Sequence, residues 1–188
     1  MVFIGLLICL LSLSTSYIQY RAVSKIEDQF GSHLSYNINV MSIFIKGVKD
    51  YISVESPTKP GSEKIDVTKD ELLKLSGSAQ SFSLQSNSIQ VVAVFTGHLK
   101  VLSSKLYELA QIIGDPTQQQ RRVQLNNEVL FIADTIDKSL DLIQQSGESN
   151  TGTDSKYWYS MNTDIKHPVY LKVKGSITPI ESGWKLVQ

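Results

Sequence analysis

The side chains best suited to proton transfer or metal ligation at neutral pH are three histidines, His33, His98 and His167. They are widely separated, and none belongs to a His-Glu-x-x-His or comparable ligand spacing. Asp134, Asp137 and Asp141 recur at helical spacing and would share one face, a geometry open to a hard cation. A solvated helix face explains them more simply, with Lys138 among them to offset the charge. Tyr157, Trp158 and Tyr159 could stack on a ligand, but such a cluster more often places one ring inside and two at a rim. The sequence has no Gly-x-Ser-x-Gly elbow, no phosphate-binding loop and no Gly-x-Gly-x-x-Gly turn. No catalytic residue, cofactor site or metal site is therefore expected, and the chain reads as a non-enzyme.

Composition narrows the partners. The 188 residues carry 18 Lys and Arg against 18 Asp and Glu, a formal net charge of zero. Nucleic-acid binders usually carry a basic surplus, so nucleic acid is not expected. The one notable basic doublet, Arg121-Arg122, reads as a solvated helix start. One cysteine, Cys9, excludes an internal disulfide and a cysteine-rich metal site within this sequence. Its neighbours Leu6, Leu7 and Ile8 make it a small apolar side chain rather than a lipid attachment point.

The residues that must organise everything else lie between Met1 and Ile52. The run from Val2 to Leu13 is uncharged, and the first charge is Arg21. From there Ile26, Phe30, Leu34, Ile38, Met41, Ile45, Val48 and Ile52 recur every three or four residues, the period of one helix face. The segment predicts one long helix, apolar at its start and amphipathic beyond. A spanning helix needs about 20 apolar residues; Val2 to Tyr20 just reaches this, with Ser12, Ser14, Thr15 and Ser16 weakening its second half. Three readings compete: a membrane anchor or filament-core helix, a cleaved secretory signal with small residues at Ser14 and Ser16, and a buried soluble helix. With no basic residue before the run and Arg21 and Lys25 after it, charge gives no orientation.

Residues 53–188 are expected to form a separate head. Ser53 to Lys64, with Pro57, Pro60 and Gly61, reads as a linker. Thr68 and Glu71 make a capping-box pattern for a short helix from Lys69 to Leu75. The β-branched run from Ser88 to Phe95 predicts a buried strand. Helices are expected over His98–Ile113 and Thr117–Gln145, joined at Gly114-Asp115-Pro116 as an antiparallel hairpin. Ser146 to Ser155 reads as a polar loop. Three tail strands are expected: Tyr157–Met161, Val169–Lys174 and Trp184–Val187, the second from its alternation. The predicted class is α+β, a long N-terminal helix packed on a small antiparallel sheet with additional helices.

In this order the fragments resemble a type IV pilin, nearest to the constant region of shufflon-type minor pilins of the IVb class. The resemblance covers about Ile4 to Gly114. It is carried by Tyr51-Ile52 at the stalk end, Val67-Thr68 with Leu72, Leu75-Ser76-Gly77, Phe82-Ser83, Asn87 and Gln90 before Val91–Phe95, and Ala110 to Gly114. The chain departs from the pattern in having no acidic residue before Glu27 and Ile89 where a Gly is usual. The resemblance implies a structural subunit, a minor pilin with a role in assembly initiation or adhesion. Val2, Phe3, Ile4, Leu6, Leu7, Ile8, Leu10, Leu11 and Leu13 would form membrane and filament-core packing, and Ile26 to Ile52 the stalk–head contact. It implies a single-pass helix, other pilin-like subunits as homo- or hetero-oligomeric partners, and a place in the bacterial inner membrane before assembly into a surface filament. The alternative is a single-pass, membrane-anchored envelope scaffold or adaptor.

Overall fold

A computed structural model describes residues 2–53, 67–86, 90–149 and 155–184; of 2–14, 90, 92, 147–149, 155–156 and 178–184 only the backbone is described. The helices in chain order are α1 (Val2–Ser53), α2 (Lys69–Ser86), α3 (Gln90–Ala93), α4 (Thr96–Ile112), α5 (Gln119–Ser149), α6 (Ser155–Thr163) and α7 (Pro168–Trp184), with a 3-10 turn at Pro116–Gln118 before α5. Among the described residues there is no strand. The expected α+β class with an antiparallel sheet is thus corrected to all-α.

The physical reason can be read in the burial periods. In α7, Val169, Val173 and Ile177 are buried while Leu171 is 53% exposed. That is a step of four, a helix face, where a strand would have buried Leu171 with its neighbours. Pro168 occupies the first helical position, where its missing N–H costs nothing, and Val169 N donates to His167 Nδ1 at 3.3 Å. In α6, Trp158, Met161 and Asn162 are buried at steps of three and four, so Tyr157–Met161 is helical as well. Val91 and Phe95, four apart, are both fully buried around α3 and the start of α4, where a strand was expected. In each case burial against neighbouring helices outweighs β propensity worth at most about 1 kcal/mol per residue. Trp184 ends α7, and the rest of the last expected strand lies outside the described residues, as do the linker after Ser53 and most of the loop after Ser149.

The bundle is built on α5, which lies against α1, α4 and α7; α1 also lies along α6, and α2 along α4. Its core joins Ile38, Ile45 and Ile52 of α1 to Leu99 and Leu106 of α4 and Leu125, Ile132 and Leu140 of α5, all at most 1% exposed. The α2 helix runs past the expected stop at Ser76-Gly77. Its buried face, Leu72, Ser76, Ala79, Ser83 and Ser86, is nearly all small, which lets α2 sit close to α4. Hydroxyls seal that contact: Ser76 Oγ donates to Ser103 O and Ser103 Oγ to Ser76 O, each at 2.9 Å. A β-carbon at Gly77 would meet nothing within 4 Å, so Gly77 faces open space inside the helix instead of ending it.

Two caps frame the elements. Thr68 and Glu71 form the start of α2, with Glu71 N donating to Thr68 Oγ1 at 3.3 Å. Thr68 N donates to the Tyr51 hydroxyl at 2.8 Å, and that hydroxyl bonds Glu71, so the end of α1 is tied to the start of α2. Asp115 caps the turn after α4 by accepting from Thr117 N at 2.9 Å.

Candidate assembly surface on the first helix

The histidines and carboxylates read from the sequence do not assemble a reaction centre. His33 is exposed on α1, His98 is buried in α4, and His167 caps α7 with its ring edge-on to Tyr157 at 5.3 Å. Trp158 lies in the core and Tyr159 stands edge-on to Phe30 at 5.7 Å, so the three aromatics make no common patch. Among the described residues, no group of His, Cys, Asp and Glu could hold a metal ion. A groove of about 270 Å³ between α2 and α4 is lined by Ser76, Gln80, Lys100, Ser103, Ser104 and Tyr107. The best-buried of these hydroxyls, on Ser76 and Ser103, are engaged with the opposite backbone, and no described histidine or carboxylate beside them could act as base.

The three aspartates serve packing. Asp134 and Asp137 of α5 face α1, where Lys49 Nζ donates to Asp137 Oδ2 at 2.7 Å and to Asp134 Oδ1 at 3.0 Å. One turn along, Lys46 pairs with Asp141 at 3.6 Å, and further along the same seam Gln144 donates to Asn39 Oδ1 at 2.7 Å. These rungs fix the antiparallel register of α1 against α5. Burial works to lower the Lys49 pKa, but hydrogen bonds to Asp137 and Asp134 outweigh it and leave it raised. Lys138, at 2.6 Å, and then Lys49 hold Asp134 below the ordinary carboxylate value. A second cluster ties α4 to α5: Arg121 Nε donates to Glu108 Oε1 at 2.9 Å, and Lys105 pairs with Glu128 at 2.8 Å. Burial would raise the Glu128 carboxyl, yet Lys105 and Gln124 lower it on balance. Arg121 of the basic doublet is thus an interhelix clasp, and Arg122 reaches the Ile113 carbonyl at 3.4 Å.

The stalk residues divide in two. Leu34, Ile38, Met41, Ile45, Val48 and Ile52 are buried to 2% or less. Phe30 is half-buried against Tyr159, and Ile26 is 59% exposed. Toward the N-terminus Tyr17, Ile18, Tyr20 and Val23 are exposed too. Packing expected for Val2, Phe3, Ile4, Leu6, Leu7, Ile8, Leu10, Leu11 and Leu13 lies outside the described side chains. Among the described residues, no helix is long and apolar enough to cross a membrane. Past Ser16 the helix carries Arg21, Lys25, Glu27 and Asp28 within eight positions, too many charges for a hydrocarbon core. The single-pass helix and the inner-membrane localisation read from the sequence are corrected on this finding. So are the pilus and filament terms tied to them, since the described residues lack the expected sheet as well.

No family model matches the chain, and no curated protein or solved structure resembles it.

Proposed function

We propose that this chain is a non-catalytic structural module: a helical bundle whose first helix offers an apolar surface for assembly with other protein subunits. One observation carries the reading. Between residues 17 and 26 of α1, Tyr17, Ile18, Tyr20, Val23 and Ile26 each leave more than half of their surface exposed. Single exposed apolar side chains are ordinary, but five within three turns of one helix mark an interaction surface. The interhelix clasps support it, because they hold α1 rigidly to the head and aim its exposed half. No described feature calls for a reaction.

The test is photo-crosslinking in cells from the full chain, with the probe at position 26 or, as control, at position 84 of α2, where Leu84 is a lone exposed side chain. Protein adducts are expected from position 26 and not from position 84. Absence of any adduct from position 26 would defeat the reading.

A further inference from the structure

We draw no further inference here: the strongest candidate, the exposed apolar patch on α1 from Tyr17 to Ile26, belongs to the assembly surface already described, and nothing in the structure shows what covers it.

Discussion

The two halves of α1 have the same amphipathic beat and different surroundings. From Leu34 to Ile52 the stripe is sealed against α5 and α6; from Tyr17 to Ile26 side chains of the same kinds stand in water. Period alone states that a helix has an apolar face, not what covers it. The difference comes from what the rest of the chain supplies. Lys46 and Lys49 have aspartates waiting on α5, and Asn39 has Gln144, whereas Arg21 is held by the ring of Tyr17 in its own helix, 5.2 Å away.

That contrast breaks most sharply at isoleucine. Ile38→Ala removes a fully buried side chain and should cost about 2–5 kcal/mol of stability, read by chemical denaturation. Ile43→Ala, on the same helix and 73% exposed, should change stability by no more than about 0.5 kcal/mol. Equal losses at the two positions would erase the distinction between the faces.

The clasp comes next in size. Lys49→Met leaves Asp137, 7% exposed, without its counter-charge, and should cost about 1–3 kcal/mol. Lys25→Met, on the exposed half, should leave stability unchanged. A neutral Lys49→Met would mean that the apolar seam alone sets the register of α1.

The smallest effect is on pH. The Asp134 pKa is depressed below its ordinary 3.8, so its contribution is present above that value and is lost as pH falls through the depressed folded value. The Lys49 pKa is raised above its ordinary 10.5, so its contribution holds below that value and is lost as pH rises through the folded one. Stability should therefore fall at both extremes. In Lys49→Met both losses should shrink: the alkaline one keeps the contribution of Tyr51, whose pKa burial also raises, and the acid one keeps Lys138 beside Asp134.

Much of the helical framework was legible in the sequence. The stripe of α1, the hairpin of α4 and α5 at Gly114-Asp115-Pro116 and the Thr68–Glu71 cap all follow from local chemistry. The tail was not, because short apolar runs rich in Val, Tyr and Trp fit a strand and a buried helix equally well. Only the exposure of Leu171 between buried Val169 and Val173 decides between them, and that depends on α5 lying alongside α7. The extension of α2 through Gly77 was hidden for a related reason: a run of Ser, Gly and Ala looks like a turn until a close-packed neighbour makes small side chains an advantage. The Lys49 clasp joins residues 85 and 88 positions apart, so no local pattern announces it. His98 looked available for chemistry, and nothing local shows that it lies inside a helix interface.

Hydrogen exchange on the full chain over a range of concentrations tests the division of α1 most directly. Amides from 38 to 48 should be protected to the global limit at every concentration. Those from 17 to 29 should exchange much faster in dilute solution. Protection from 17 to 29 that already equals that of 38 to 48 at the lowest concentration would contradict the account.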